Sequence, residues 1–370
     1  MANAISPNAS GRHTLWARWW VLGFCLLVVV MVLVGGATRL TDSGLSITEW
    51  KPVTGALPPL SEAHWAAEFA KYQQSSQYQM MNYGMSLEAF KGIFWWEWAH
   101  RLLGRTIGAY LLLPLLFLTF TRALDARKIK QLWFIGVLVG VQGFIGWWMV
   151  ASGLVNRVSV SPYRLATHLG MALVILALAW RLFLIWDAKP QEKGTLKSPS
   201  LRWPIGLTGL VFFQMLLGAF VAGLDAGRSH TDWPTIDGHL FPSQYAALEP
   251  FWRNLFENTQ AVQFNHRIVG YLTAVAALYV AWTFRSTAYR KWAASAGHMA
   301  LLQAVLGVIA VILASPLWIG LLHQAGALAL FLLANALWAA TSSGGSILPI
   351  GSALKTQVKN EALDAAARAQ

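Results

Sequence analysis

The chain has 370 residues, 56% hydrophobic and only 12% charged, with 20 tryptophans and a formal net charge of +12. Its apolar runs are longer than any soluble core helix needs, which excludes an ordinary globular domain. The basic residues are distributed by loop and form no stripe with interleaved aromatics, so the charge argues for a lipid bilayer and against nucleic acid as partner.

Windows of about 20 apolar residues predict eight membrane spans, at Trp19–Ala37, Ile93–Phe120, Leu132–Val150, Leu165–Trp186, Trp203–Gly223, Val262–Phe284, Trp292–Ala314 and Leu317–Ala340. The expected class is an all-α polytopic membrane protein. Arg12, Arg18, Arg122, Arg127, Lys128, Lys130, Arg181, Lys189, Lys193, Lys197, Arg202, Arg285, Arg290 and Lys291 flank one side, and Lys355, Lys359 and Arg368 follow in the tail. By the positive-inside rule that side is cytoplasmic, with N-in and C-in termini and long outer segments at 39–91 and 224–261. The single cysteine, Cys25, lies inside the first span, so no intramolecular disulfide and no thiolate metal cluster can form. The first 15 residues carry no separate cleavable apolar segment, and a bacterial inner membrane is the expected location.

Taken in order, the chain repeats itself. Gly35 followed by Asp42-x-Gly44 returns as Gly218 followed by Asp225-x-Gly227, and Thr48-Glu49-Trp50-Lys51-Pro52 returns as Thr231-Asp232-Trp233-Pro234. His100-Arg101-x-x-Gly104 matches His266-Arg267-x-x-Gly270, Gln142-x-x-x-Gly146 matches Gln303-x-x-x-Gly307, and His168 matches His323. Matches in register over four spans predict two four-helix bundles. Because four is even, both copies have one orientation and a pseudo-twofold axis along the membrane normal. The expected divisions are 1–190, 191–345 and a cytoplasmic tail at 346–370.

Depth then bears on chemistry. The even-numbered spans all run from outside to inside, and His100, His168, His266 and His323 each start within about two turns of the outer end. His100 can face His168 and His266 can face His323 at one level, the geometry of a bis-imidazole haem site. The plainer alternative is hydrogen bonding between helices. Arg101 and Arg267 are candidates for haem propionates, with snorkelling as the alternative. Arg105 has no counterpart, since Tyr271 occupies its place. His13, His64, His230, His239 and His298 are expected to be ordinary polar residues.

Glu97, three residues before His100, is matched by Gln263 before His266, so charge is kept in one half only. A carboxylate in the outer leaflet is costly. Glu97 is accordingly the candidate catalytic group of the first half, and an i,i+4 salt bridge to Arg101 is the alternative.

The motifs Gly-Gly-x-Thr-Arg-Leu-Thr-x-Ser-Gly-Leu-Ser (35–46), Trp50-Lys51-Pro52-Val53-x-Gly55, Glu97-x-x-His100-Arg101, Thr167-His168-Leu169 and Asn265-His266-Arg267 resemble those of the haem A synthase family, of proteobacterial and mitochondrial type. The resemblance covers nearly the whole chain. It implies an N-terminal half holding the haem O substrate on His100 and His168, a C-terminal half holding haem b on His266 and His323, and Glu97 as the functional carboxylate. The implied reaction oxidises the C8 methyl of haem O to a formyl group by two hydroxylations and dehydration of the gem-diol, giving haem A. Implied partners are an electron donor and the machinery of haem O synthesis and cytochrome oxidase assembly. Some members carry a cysteine pair in the first outer loop; here there is none. A diheme b-type electron carrier or quinol dehydrogenase is the alternative from another class, and a transporter with histidine proton relays is a third.

Overall fold

The computed structural model describes residues 7–155, 157–187 and 200–343, with side chains from Leu15 onward. Lys189, Lys193, Lys197, the boundary at 190/191 and the tail at 346–370 lie outside the described residues, as do the side chains of Arg12 and His13.

Eight long helices carry the fold: α1 (Pro7–Leu40), α4 (Leu87–Phe120), α5 (Ala126–Gly153), α6 (Pro162–Leu184), α7 (Arg202–Gly223), α10 (Thr259–Thr283), α11 (Arg290–Ile312) and α12 (Leu317–Ser342). Short helices α2 (Glu62–Tyr72) and α3 (Ser76–Met80) lie in the first outer segment, and α8 (Ala226–Ser229) and α9 (Asn254–Glu257) in the second. Seven of the long helices are long and apolar enough to cross a membrane, and the chain is a multi-pass membrane protein. The exception is α10. It is 25 residues long, but Gln260, Gln263, Asn265, His266 and Arg267 crowd its first turns, so the expected sixth span is a helix of lower apolarity than its neighbours.

Helix starts follow local chemistry. Ser86 and Asp125 cap α4 and α5 by accepting from the backbone N–H three residues on, and Pro162 opens α6 at a position that needs no donor. Pro114 interrupts α4 and leaves the carbonyl of Tyr110 without its helical N–H; the Trp20 indole donates to that carbonyl at 2.9 Å. A buried gap in one helix is thus filled from another.

Packing among the long helices is paired. In the first half α1 packs on α4 and α6, and α5 on α4 and α6; in the second α7 packs on α10 and α12, and α11 on α10 and α12. Across the middle, α1 meets α12 and α6 meets α7, while α6 meets α12 and α1 meets α7. Gln324 of α12 donates to the Val32 carbonyl of α1 at 2.9 Å, against Gly36, where any side chain would collide with the amide. At the outer ends Asp42 and Asp225, matched in the repeat, both take left-handed backbone (φ 53). Arg39 bonds both carboxylates, and Arg228 lies 3.5 Å from Asp42 and 3.6 Å from Asp225. Each half contributes one aspartate and one arginine, paired within the half and again across it, so the clasp joins the two halves without net charge.

The first outer segment folds on its own aromatic core. Phe90, fully buried, packs against Phe69, Tyr72 and Phe94 at 5.1, 5.2 and 5.8 Å between ring centres. The Tyr72 hydroxyl donates to Gln77 Oε1 and accepts from Asn82. Outside this core, Glu49 is paired with Lys51 and Lys71, whose hydrogen bonds lower its carboxyl to about 2.

Replacing Phe90 by alanine removes the centre of the aromatic core, a change that costs about 3–5 kcal/mol at a fully buried ring. Limited proteolysis should then cut between residues 41 and 86 at much lower protease than in the wild type, with the membrane-embedded fragments staying intact. Equal resistance in the two proteins would show that the segment does not depend on this core.

Candidate functional site

Four histidines sit on four glycines. A Cβ on Gly35 of α1 would lie 3.2 Å from His100 Nε2; one on Gly146 of α5 would lie 2.9 Å from His168 Cε1. In the second half, Gly218 of α7 meets His266 and Gly307 of α11 meets His323, each at 3.2 Å. Every ring therefore fills the space left by a missing side chain on the neighbouring helix. Gly104 packs on Met31 Cε and Gly270 on Gln214 Nε2, one turn below the rings. Gly35/Gly218 and Gly146/Gly307 already stood out as repeat matches, which was the available signal.

One pair of rings also approaches closely. His266 and His323 have ring centres 6.4 Å apart at 81°. An imidazole nitrogen lies about 2 Å from a first-row metal and about 1.1 Å from its own ring centre, so two imidazoles sharing one iron have centres roughly 6.3 Å apart. The second-half pair fits that requirement. His100 and His168 are near enough to interact electrostatically, with no ring contact between them among the described residues. All four side chains are half-buried. His168 Nδ1 and His323 Nδ1 are buried without a hydrogen-bond partner among the described residues. A buried unpartnered ring nitrogen is costly in an apolar setting, and ligation at the other nitrogen, which fixes the ring tautomer, is chemistry such rings suit.

Glutamines brace the rings. Gln142 Nε2 donates to the His168 carbonyl at 3.1 Å and lies 3.4 Å from its ring Nε2. Gln214 Nε2 donates to the His266 carbonyl at 2.9 Å and lies 3.1 Å from its Nδ1. Gln303 stands beside Gly326 with both amide atoms buried and unpartnered among the described residues.

Glu97 is 2% exposed and fully engaged. Its Oε2 accepts from Ser46 Oγ (2.7 Å) and the Ile47 N–H (2.8 Å), and its Oε1 accepts from Arg101 Nε (3.1 Å) and Nη2 (2.7 Å). Arg101 also donates to the carbonyls of Ile47 and Glu49. The desolvation cost that singled out Glu97 is thus offset by an ion pair and two further donors. Gln263 stands in the same place with opposite polarity: its Nε2 donates to the carbonyls of Ala226 and His230, and its Oε1 accepts from Arg267. Arg267 in turn donates to the carbonyls of Asp232 and Thr235. In each half, a residue three before the histidine and an arginine one after it tie the outer segment down. Arg101 and Arg267, expected at haem propionates, each give bonds to two loop carbonyls and to the residue four before them, Glu97 or Gln263; Arg267 Nε is buried and unpartnered among the described residues.

Arg105 does have a counterpart in position. It donates to the carbonyls of Lys51 and Pro52, while the Trp233 indole donates to the Tyr271 hydroxyl. Both hold the matched Trp-(Lys)-Pro stretch against the helix one turn past the histidine. Asp232 shapes the second loop by accepting from Thr235 Oγ1 and from the N–H groups of Gly238 and Asp237; these bonds hold its carboxyl well below the usual range. His230 fits the ordinary role expected of it, bonded between Asp237 and Thr259.

Known proteins resemble this chain in sequence. Residues 18–335 match the COX15-CtaA family, described as cytochrome oxidase assembly protein. A heme A synthase of Parvibaculum lavamentivorans is 45% identical over 333 residues, covering 89% of this chain and 94% of its own length. Those of Ruegeria sp. and Caulobacter vibrioides are 48% and 46% identical, covering 85% and 86% of this chain and 86% and 93% of theirs. With its histidines, their glycine seats and both outer-loop ties inside the matched residues, this chain belongs to the COX15-CtaA family.

Proposed function

We propose that this protein is a haem A synthase, a membrane oxidoreductase that converts haem O to haem A. The observation that carries the reading is the repeated seat: two pairs of imidazoles on matched helices, each ring on a glycine, with the second pair spaced for one iron. The eight long helices are read as spans arranged in two pseudo-twofold four-helix bundles, divided near 190/191, with both termini at the cytoplasmic face of a bacterial inner membrane. The basic-loop asymmetry supports that orientation. A diheme electron carrier would use the same four ligands, but the family and its relatives favour chemistry on the porphyrin.

In this reading His100 and His168 hold haem O as substrate, and His266 and His323 hold haem b. Bound haem b supplies electrons from a donor of unidentified class. Arg101 and Arg267, with loop carbonyls already bound, contribute positive charge toward the propionates more than bidentate bonding. Glu97 keeps the Ser46–Ile47 stretch fixed one turn from His100, which excludes water from that end of the pocket and places a carboxylate beside the reactive half. With dioxygen as oxidant, each of two hydroxylations would take one oxygen atom together with two electrons and two protons and release one water, giving the alcohol and then the gem-diol, which loses water to the aldehyde. Haem O synthesis would feed the site and cytochrome oxidase assembly would draw on it.

Purified protein given haem O, reductant and dioxygen should form haem A. His266→Ala or His323→Ala should lose haem b and turnover together, while haem O still binds the first half. A variant without haem b that makes haem A at the wild-type rate would contradict the division between halves.

Glu97→Gln is not a neutral exchange, because either orientation of the amide sets an NH2 against donors: Ser46 and Ile47 on one side, Arg101 on the other. Formyl production should fall by tenfold or more, since a buried charged hydrogen bond is worth about 1.5–3 kcal/mol, with haem O retained on the protein. Wild-type yield of haem A from this variant would remove Glu97 from the mechanism, and loss of haem and fold together would leave it a purely structural role.

A further inference from the structure

Three of the four seating glycines have a glutamine one turn before them, and the fourth has none. Four residues before each seating glycine, on the same helix face and one turn away, stands Gln142 for Gly146 and His168, Gln214 for Gly218 and His266, and Gln303 for Gly307 and His323. Four residues before Gly35, which seats His100, stands Met31. The exchange is spatial as well as sequential. Met31 Cε packs on Gly104 one turn past His100, and Gln214 Nε2 packs on Gly270 one turn past His266.

The consequence is a difference in how firmly the rings are held. Gln142 and Gln214 each donate to the backbone carbonyl of their histidine and reach its ring. A thioether has no proton to donate, and the His100 ring has no hydrogen bond among the described residues.

We infer that His100 is the ligand that releases the substrate iron, with Met31 as the residue that leaves it free to do so. This rests on the proposed haem A synthase function, in which an iron held by two imidazoles has no open position for oxygen. On release the imidazole nitrogen keeps its lone pair, and no electron or proton moves. His168, clamped by Gln142, stays; in the second half Gln214 clamps His266 in the same way, while Gln303 stands one turn from the seat of His323 without bonding it. The break in the repeat at position 31 thus marks the reactive half from inside the membrane, independently of Glu97.

Carbon monoxide binding to the dithionite-reduced, haem O-loaded protein tests this, because carbon monoxide takes only a position that a ligand vacates. In the wild type it should bind the haem O of the first half and leave haem b unchanged. Met31→Gln, which copies the other three seats, should weaken that binding about fivefold, the worth of one net hydrogen bond. Gln214→Met, the reverse exchange, should make haem b reactive to carbon monoxide. Unchanged binding in Met31→Gln with haem O in place overturns the assignment and makes His168 the ligand that leaves. If Met31→Gln fails to hold haem O, Gln214→Met decides alone: haem b that stays inert overturns the role given to the glutamine. Wild-type protein that takes up no haem O defeats the proposed function itself, and the assignment with it.

Discussion

The contact on which the structure depends is an imidazole ring resting on a glycine of the neighbouring helix, made four times. A histidine inside a bilayer is costly unless it finds a partner or a metal, and a flat macrocycle needs helices that stand apart on one side while staying packed on the other. A glycine at each seat lets the ring-bearing helix approach closely without filling the space where a ligand would go. The same device joins α1 to α4, α5 to α6, α7 to α10 and α11 to α12, so helix packing and site geometry are set by one feature.

The outer segments complete each site by a second repeated device. An arginine directly after the first histidine of each half reaches loop carbonyls, and the residue three before that histidine anchors it. Glu97 and Gln263 do this with reversed donor and acceptor roles, because one meets N–H and O–H groups and the other meets carbonyls. The charge difference therefore follows from how each loop presents its backbone, and any role of Glu97 in the reaction is exerted from a carboxylate already committed to holding Ser46 and Ile47. The clasp of Arg39, Arg228, Asp42 and Asp225 then ties the two loop bases together across the middle.

Much of this was legible in the chain. Hydropathy located α6, α7, α10, α11 and α12 to within a few residues at each end, whereas α1 starts at Pro7, well before the expected Trp19, and α4 and α5 start at Leu87 and Ala126, ahead of the expected Ile93 and Leu132. The internal repeat paired the four histidines and the two loops. The lower apolarity of α10 was hidden by reading its polar first turns as a site rather than as a loss of hydrophobic length. The glycine seats were not legible as such, because periodicity along one helix points to Gly104 and Gly270, whereas each seat lies on another helix. Arg105 and Tyr271 looked unrelated because they differ in chemistry, yet both bind the same stretch of loop. Met31 among three glutamines could be recognised only once the glycines four residues on were known to seat the rings.

The central claim is that each half holds a haem between two imidazoles. Haem content and electron paramagnetic resonance of the oxidised, purified protein test it most directly. The account predicts low-spin signals of bis-imidazole iron, with pyridine haemochromes of haem b together with haem O or haem A, and with the haem b signal absent from His323→Ala. A protein that purifies without haem, or that keeps its full low-spin signal when His323 is removed, would contradict it.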